Sequence, residues 1–412
     1  MPRASHKANS SPPLRDSDRR KVHKLVPTFL KWFGEHARDL PWRRTLDPYA
    51  IWISEIMLQQ TQVKTVIPYW ERWMRELPDA PALAAAPQDK VLKLWEGLGY
   101  YTRARNLQKA ARVVLEQHGG KFPRDFAAVL ELPGVGRYTA GAICSIAYDQ
   151  PVPILDGNVI RVLTRLFGIE ENPREKKTNA QLWQLAEALV HHAASSPSPR
   201  AGSAGRGQGR GESHMQKPLL SPALSSIRME EREDTVRPAS FLNQSLMELG
   251  ALICTPRQPR CAECPVRRQC VALREQRVES LPNLGPRATT TARRFLAVAA
   301  ERDGRWLVRQ RPAGVVNAHL WEFPNVELPV EGDGVVVAAK RLVGAHRDLK
   351  PLAQVRHSIT RYRILLEAYR AQATGNGGSL SQDGRWLALE ELEHLAFASA
   401  HRRVLEALRR SA

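Results

Sequence analysis

Between residues 22 and 192, apolar side chains recur at helical spacing in one segment after another. The segment PYAIWISEIMLQQ is opened by Asp47 and Pro48, an N-cap followed by a proline at the first helical position. Two more helical segments, QDKVLKLW and YTRARNLQKAARVVLEQH, end at glycines, and Asp156 has an N-cap position in ILDGNVIRVLTRLFGI. No strand-like alternation precedes residue 290, so the pattern predicts a mainly helical first domain.

Two stretches contain few apolar side chains and do not follow this helical pattern. Residues 1–21 carry charge without an apolar run, which predicts a disordered basic tail. Residues 193–236 are rich in Ser, Pro, Gly and Arg and predict a disordered insertion between two helices. The helical segment PASFLNQSLMELGALIC follows that insertion.

The pattern changes after residue 291. Residues 273–291 are interpreted as a linker, after which FLAVAAERDGRWLVRQR alternates and turns at Asp303-Gly304, a hairpin signal. RYRILLEAYRAQA predicts another strand, and HRRVLEALRR a closing helix. We therefore predict a helical domain over residues 22–272 and a separate α+β domain over residues 292–412.

The net charge of the chain indicates which kind of partner it binds. The 412 residues contain 61 Lys and Arg against 42 Asp and Glu, a formal net charge of +19. An excess of this size indicates a polyanion, and we expect nucleic acid. No stretch approaches the roughly 18 apolar residues of a membrane span, and the N-terminus lacks the apolar core of a secretory signal. We expect a cytoplasmic, nucleoid-associated monomer that does not bind membranes.

Four of the five cysteines lie close together, at the spacing C-x6-C-x2-C-x5-C. They are Cys254, Cys261, Cys264 and Cys270. Structural zinc sites usually combine two C-x2-C pairs, or one pair and histidines, while a cubane iron–sulfur cluster also takes four thiolates. The spacing alone leaves both open. The fifth, Cys144, lies among small and apolar residues and is expected to be buried.

The segment LPGVGRYTAGA, residues 132–142, predicts a helix end, a turn bracketed by glycines and a new helix. Such a helix–hairpin–helix directs the backbone N–H groups of Gly134 and Gly136 toward a phosphate, at the positive end of the second helix. Val135, between them, is also expected to be a DNA-binding residue. An ordinary turn between two helices has the same local signature.

Six segments in order, together with the cysteine spacing, carry a family resemblance. They are RDLPWRR, SEIMLQQTQV, GLGYYTRARNL, LPGVGRYTAGAI, ILDGNVIRVL and FLNQSLMELGALICT. The chain resembles the endonuclease III superfamily of DNA glycosylases and, within it, the MutY-type adenine DNA glycosylases. The resemblance covers about residues 24–272, apart from the insertion, and continues more weakly to the C-terminus. It implies a mainly α helix-hairpin-helix glycosylase domain, a [4Fe–4S] cluster on the four cysteines, and a smaller α+β Nudix-like domain.

The resemblance also implies catalytic roles. Removing a base requires extrusion of the nucleotide, protonation of the leaving base and stabilisation of a cationic sugar. Glu55 lies within an apolar helical segment, where burial raises a carboxyl pKa, and it matches the family's proton donor to adenine N7. Asp156 matches the carboxylate that faces the oxocarbenium ion, and the helix start is expected to keep it ionised. Without the resemblance, Glu55 would be an exposed helix glutamate and Asp156 only an N-cap.

Supporting positions follow from the same match. Asn158 and Tyr138 match active-site positions, and bifunctional relatives have lysine where this chain has Tyr138. Because tyrosine cannot form a Schiff base, we expect base removal without strand cleavage. Gln60 and Tyr100 match residues that wedge into the duplex. The adenine-pocket positions, any of which could be core or surface in an unrelated bundle, are Trp42, Arg43, Leu58 and Gln244.

The C-terminal domain resembles a Nudix fold through RWLVRQRPAG and LWEFPNVEL. The following stretch, VEGDGVVVAAKRLVG, lacks the glutamates of a metal-binding Nudix box, so hydrolysis of nucleoside diphosphates is not expected. By resemblance the domain reads 8-oxoguanine, and Thr360 and Arg361 stand where relatives have serine and histidine.

We therefore expect an adenine DNA glycosylase of base excision repair, acting on double-stranded DNA with 8-oxoguanine:A or G:A mispairs. The alternatives are a glycosylase for thymine or uracil opposite guanine, a non-catalytic DNA-damage binding protein, and a zinc-stapled helical DNA-binding module.

Overall fold

The computed structural model describes residues 14–195, 237–286, 289–332, 334–359, 361–374 and 384–411. They form two compact units. The first unit comprises the described parts of Met1–Ala80 and Val113–Gly285, and the second those of Pro81–Arg112 and Pro286–Ala412. The domain division at residues 22–272 and 292–412 stays a prediction, to which the structure adds that residues 81–112 pack with the C-terminal residues.

The helices up to residue 274 follow the predicted order. In chain order they are α1 (Asp16–His36), α2 (Pro48–Leu58), α3 (Val63–Glu76), α4 (Ala80–Ala85), α5 (Gln88–Trp95), α6 (Thr102–His118), α7 (Phe126–Leu130), α8 (Arg137–Tyr148), α9 (Gly157–Phe167), α10 (Lys176–Ser195), α11 (Pro238–Leu252) and α12 (Val271–Arg274). Among the residues that the structure describes, no strand precedes residue 291, and no helix is apolar and long enough to cross a bilayer.

Side-chain caps fix the helix starts that matter for the site. The Asp47 carboxylate accepts hydrogen bonds from the backbone N–H groups of Tyr49 and Ala50, at 3.0 and 3.3 Å. Asp156 caps α9 in the same way. The main core of the first unit is built by α1, α8, α9, α10 and α11, whose apolar faces meet at residues such as Leu25, Leu163 and Leu246. Burial of these faces positions the two caps at the ends of packed helices.

The start of α1 corrects one prediction. Residues 16–21 were assigned to the disordered tail, but they are helical. Asp16 and Asp18 lie in the first helical turn, where the helix dipole favours negative charge, and Arg15 Nε donates to Asp18 Oδ2 at 2.9 Å. Likewise α10 continues to Ser195, into the predicted insertion. The remaining residues of both segments, 1–13 and 196–236, lie outside the described residues.

The second unit contains a mixed sheet. Its strands are β1 (Thr291–Arg302), β2 (Arg305–Gln310), β3 (Trp321–Glu322), β4 (Asn325–Leu328), β5 (His346–Ile359), β6 (Tyr362–Ala373) and β7 (Gly384–Ala388). The order is β3-β2-β1-β6-β5, with β4 paired to β1 and β7 paired to β2. β1 and β6 are parallel, and the other pairs are antiparallel.

Both faces of β1 are covered, which explains its run of five buried residues. Leu296 and Val298 pack on the side of helix α13 (Val335–Val343), while Ala297 and Ala299 pack on the side of α14 (Leu389–Glu393) and α15 (Ser399–Ser411). The predicted hairpin is confirmed: Asp303 and Gly304 have positive φ values of 51° and 72° between β1 and β2. The second predicted strand and the closing helix are confirmed as β6 and α15.

Candidate active site

One cavity of 760 Å³ in the first unit gathers residues that lie far apart in the sequence. α2, the N-terminus of α8, the start of α9 and α11 all contribute side chains to its wall. Of the residues singled out from the sequence, it is lined by Trp42, Arg43, Glu55, Leu58, Gln60, Gly136, Tyr138, Asp156, Asn158 and Gln244.

Glu55 is the buried carboxyl group of this cavity, with only 6% of its surface exposed. The Tyr138 hydroxyl donates to Glu55 Oε2 at 2.7 Å. Burial raises the pKa of Glu55 to about 7, because the opposing effect of the Tyr138 hydrogen bond is smaller and Asp156 adds negative charge nearby. Burial also raises the pKa of Tyr138, so the phenol remains a neutral donor. The pair therefore holds an exchangeable proton at neutral pH.

Asp156 is oriented by the first turn of α9. Its Oδ1 accepts the backbone N–H of Val159 at 2.7 Å, and its Oδ2 accepts a hydrogen bond from Asn158 Nδ2 at 2.9 Å. Burial raises the pKa of Asp156, and these hydrogen bonds and Arg161 oppose that rise without cancelling it. The helix start thus fixes the carboxylate in place, while desolvation works against the ionisation expected from the N-cap alone.

Arg161 links this carboxylate to the cysteine loop. Its Nη2 donates to Asn158 Oδ1 at 2.8 Å and to the Gly250 carbonyl at 2.7 Å, and its Nε donates to the Cys254 carbonyl at 2.6 Å. Gly250 allows the close approach, since a Cβ there would lie 2.6 Å from the Asn158 Cβ. The sequence analysis did not single out Arg161, although its position three residues, about one helical turn, beyond Asn158 in LDGNVIRV was a usable signal.

Glu248 is a second buried glutamate on this cavity that the sequence analysis missed. Arg38 donates to it through Nε and Nη2, each at 2.7 Å, and Arg43 donates at 3.1 and 2.9 Å. Burial raises its pKa, but the hydrogen bonds and charges of the two arginines outweigh this and lower it to about 2. Arg43 is therefore held by an ion pair on the cavity wall. The spacing of Gln244 and Glu248 on one helix face was the available signal.

The other predicted pocket residues differ in exposure. Trp42 is buried and packs edge-on against Trp70, with ring centroids 6.1 Å apart. Gln244 is also buried, and its Nε2 donates to Ser240 Oγ at 3.0 Å. Leu58 is half-buried, whereas Gln60 is exposed and has a positive φ of 57°. Gln60 thus lies in a turn at the exposed edge of the cavity.

The predicted hairpin between α7 and α8 is present. Gly134 has a φ of 80°, and the Val135 N–H is already used, donating to the Leu132 carbonyl at 3.0 Å. Gly136 is the N-cap of α8, and no atom of the described residues lies within 4 Å of the position its Cβ would take. The open approach at this helix N-terminus suits a backbone phosphate.

Tyr100 belongs to the second unit. It is 49% exposed, with a φ of 47°. Arg361, between β5 and β6, is also exposed; its Nη2 donates to the Tyr362 hydroxyl at 3.2 Å and its guanidinium lies 5.3 Å from that ring centroid. The predicted lesion contact at Thr360 lies outside the described residues.

The four clustered cysteines line one small pocket, together with Arg165. Arg165 Nη1 lies 3.4 Å from Cys254 Sγ, and burial raises the pKa of the Cys264 thiol to about 12. In the part of the chain that the structure describes, no group of three His, Cys, Asp or Glu side chains is placed so that it could hold a metal ion. The four thiols that line this pocket are chemically suited to act as thiolate ligands, which would lose their protons on binding a metal.

The second unit holds a buried glutamate in a different setting. Glu322 is 1% exposed; Arg309 donates to its Oε1 at 2.8 Å and Arg311 donates to its Oε2. Burial raises its pKa, but His401, Arg311 and Arg309 outweigh this and lower it. Burial also lowers the pKa of His401 to about 4, so at pH 7 the two arginines carry the compensating charge. The ionisable side chains of α13 are Lys340 and Arg341, and this helix contains no carboxylate.

Comparisons with known proteins match both units. The family model described as HhH-GPD superfamily base excision DNA repair protein matches residues 53–188, and a NUDIX domain model matches residues 295–407. The adenine DNA glycosylase of Homo sapiens is 32% identical over 92% of this chain and 72% of the human protein. That of Rattus norvegicus is 33% identical over 94% of this chain and 78% of its own. The solved structure of a thermostable thymine-DNA glycosylase covers 63% of this chain and all of its own, at 28% identity and a TM-score of 0.47.

Proposed function

Because the chain belongs to the adenine DNA glycosylase family, we propose that it removes adenine opposite 8-oxoguanine or guanine in double-stranded DNA without cutting the strand. It is a DNA glycosylase of base excision repair. The observation that carries the proposal is Glu55, a buried carboxyl group with a pKa of about 7 on a cavity that also contains Asp156.

Glu55 supplies the proton in this proposal. A pKa near the working pH lets one carboxyl group both hold a proton and release it to the leaving base. The Tyr138 hydroxyl fixes Oε2 by its 2.7 Å hydrogen bond, so the carboxyl group does not rotate freely. Adenine becomes a better leaving group when it is protonated, and the bond to the sugar then breaks with positive charge developing on the sugar.

Asp156 stabilises that positive charge. It is held by the Val159 N–H and the Asn158 amide, and Asn158 is held in turn by Arg161. A carboxylate fixed before the reaction stabilises an oxocarbenium ion without reorganising during it. The hydrogen bonds that oppose the rise in its pKa favour the charged form, which this role requires.

The absence of lyase chemistry rests on Tyr138. Strand cleavage through a Schiff base requires an amine on the sugar, whereas a phenol forms no imine. The cations among the described residues lining the cavity are arginines, which remain protonated and are not nucleophiles.

A direct test incubates the protein with a duplex containing one 8-oxoguanine:A pair. Free adenine should appear, and the strand should break only after alkali is added. Borohydride should trap no protein–DNA adduct. Strand breaks without alkali together with a trapped adduct would refute the monofunctional mechanism, and release of thymine or uracil opposite guanine but not adenine would favour the alternative specificity.

The cysteine loop is proposed to hold a [4Fe–4S] cluster on Cys254, Cys261, Cys264 and Cys270. The shared pocket and the thiolate donor set support it. When bound, the cluster would stabilise the fold of the basic loop and would take no part in the chemistry of base removal. Purified protein should contain about four iron atoms per chain with broad absorption near 400 nm; stoichiometric zinc after anaerobic purification would contradict the assignment.

The second unit is proposed to recognise 8-oxoguanine through Thr360 and Arg361. The exposure of Arg361 on the loop between β5 and β6 supports this role. We further propose that Gln60 and Tyr100 wedge into the duplex, that Trp42, Arg43, Leu58 and Gln244 form the adenine pocket, and that the protein acts as a cytoplasmic, nucleoid-associated monomer.

A further inference from the structure

The turn between α5 and α6, residues 96–101, holds Tyr100 in an unfavourable backbone conformation. Tyr100 has a φ of 47°, and the turn also contains Gly97 and Gly99 at 105° and 69°. A bulky residue at positive φ persists only where its surroundings hold it there, and such strain is common at functional sites. The contacts that hold this turn are therefore informative.

Its first residue, Glu96, is bound by a segment some 300 positions away. The backbone N–H of Phe397 donates to Glu96 Oε1 at 2.8 Å. Lys93 donates to Glu96 Oε2 at 2.7 Å and also to the Leu395 carbonyl at 2.9 Å. The Glu96 side chain is only 12% exposed, so its carboxylate is largely shielded from water.

Its last residue, Tyr101, is bound by the same segment. Tyr101 is 2% exposed, and its hydroxyl donates to the Phe397 carbonyl at 3.3 Å. The Gly97 N–H donates back to the Tyr101 hydroxyl at 3.3 Å, which closes the turn on itself. The N–H and the carbonyl of one residue, Phe397, thus contact the two ends of the turn that carries Tyr100.

Phe397 is itself fixed to the sheet. Trp321 N–H donates to the Ala396 carbonyl at 2.8 Å, and Ala398 N–H donates to the Trp321 carbonyl at 3.1 Å. The Phe397 ring stacks on Phe323, with centroids 5.6 Å apart, and is fully buried. The turn is therefore connected through Phe397 to the sheet and the buried core of the second unit.

We infer that Glu96 and Tyr101 are positioning residues, which fasten the 96–101 turn to residues 395–397 and so set the direction of Tyr100 for unstacking the target base. This inference rests on the proposed function, because Tyr100 needs a duplex to enter. It gives the C-terminal residues a part in base extrusion that is separate from reading the opposite base, so it should operate on G:A as well as on 8-oxoguanine:A.

The experiment uses the full-length protein and a duplex whose target adenosine carries a 2′-fluorine, which suppresses hydrolysis. A neighbouring 2-aminopurine brightens when the stack opens. We compare wild type, Glu96→Ala, Tyr101→Phe, Tyr100→Ala and the double variant Glu96→Ala/Tyr100→Ala. The matched control is Glu393→Ala, which removes an exposed ion pair with Arg409 in the same unit. Single-turnover excision is measured in parallel on the unfluorinated duplex.

Glu96→Ala should reduce both the fluorescence rise and the excision rate by roughly 10-fold, as expected for a misplaced contact group. Tyr101→Phe, which keeps the ring, should act in the same direction but less strongly. In the Tyr100→Ala background, Glu96→Ala should cause no further loss, because the two residues act through one contact.

Losses that multiply in the double variant would overturn the inference, because Glu96 would then act independently of Tyr100. The inference would also be overturned if Glu96→Ala and Tyr101→Phe both gave the same fluorescence rise and excision rate as the Glu393→Ala control. Failure of the proposed function is a different result: the wild-type protein itself would release no adenine.

Discussion

Glu55 in the first unit and Glu322 in the second are both almost completely buried, yet their pKa values move in opposite directions. Glu55 receives a neutral hydrogen bond from Tyr138, and burial raises its pKa to about 7. Glu322 is bonded by Arg309 and Arg311, and its pKa is lowered. The partner, and not the depth of burial, decides whether a buried carboxyl group can exchange a proton near neutral pH.

The opposite pKa shifts distinguish a carboxyl group that can exchange a proton from one that forms an ion pair within the fold. The charge of Glu322 is used in an ion pair inside the Nudix-like unit, where α13 offers no carboxylate for a metal. Glu248 shows the same behaviour on the wall of the cavity that contains Glu55, where Arg38 and Arg43 lower its pKa to about 2. Of these three buried glutamates, Glu55 alone has a pKa near neutral pH, which fits the proton transfer proposed for it.

The largest effect is expected from Glu55→Gln. The amide keeps the shape and the ability to accept the Tyr138 hydrogen bond but has no proton to give, so single-turnover excision should fall at least ~100-fold. Mismatch binding should persist in a gel-shift measurement. Near-normal excision by this variant would remove Glu55 from the mechanism.

The same variant has a stability consequence. Because the pKa of Glu55 is raised on folding, its contribution is favourable at low pH and is lost as the pH rises through about 7. Glu55→Gln should therefore raise the melting temperature at pH 8 relative to wild type and lose this advantage at pH 5. A lower melting temperature at both pH values would show that the carboxylate is stabilised by contacts.

Glu322→Gln should give the opposite pattern, with stability lost and chemistry retained. Removing one member of a buried ion pair leaves Arg309 and Arg311 uncompensated, at a cost of about 2–4 kcal/mol because both guanidiniums are partly exposed. The melting temperature should fall, while excision below the transition stays near wild type. Glu393→Gln, at an exposed pair, should change stability by under about 1 kcal/mol. Equal shifts in the two variants would contradict the comparison.

A smaller and more selective effect is expected in the loop between β5 and β6. Thr360→Ala combined with Arg361→Ala should weaken binding to 8-oxoguanine:A more than to G:A, by about 1–3 kcal/mol if a base-edge contact is lost. The matched control is Arg356→Ala, at an exposed arginine on β5. It should change the binding affinity for the two duplexes by the same factor. Equal losses for the double variant would show that the loop contacts backbone only.

The sequence predicted the helical order, the hairpin at Asp303 and the caps at Asp47 and Asp156, because each has a local signature. It also predicted the direction of the pKa shift of Glu55, because the apolar helical segment and the family resemblance together indicated a buried carboxyl group. The tail prediction was wrong where Asp18 and Arg15 form a local pair that supports the helix.

The remainder depended on long-range contacts without a local signal. Glu248 shares a helix face with Gln244, but its partners Arg38 and Arg43 lie more than 200 residues away, so the sequence does not indicate the ion pair itself. The 96–101 turn is held by backbone groups of residues 395–397. Residues of any type have these groups, so the sequence gives no signal of the contact. The parallel pairing of β1 with β6 likewise follows from tertiary packing.

The pH dependence of single-turnover excision tests the central claim most directly. If Glu55 must be protonated, the rate on an 8-oxoguanine:A duplex should fall as the pH rises through about 7, approaching tenfold per pH unit, and Glu322→Gln should show the same profile. A wild-type rate that stays constant from pH 6 to pH 9 would contradict the assignment of Glu55 as the proton donor.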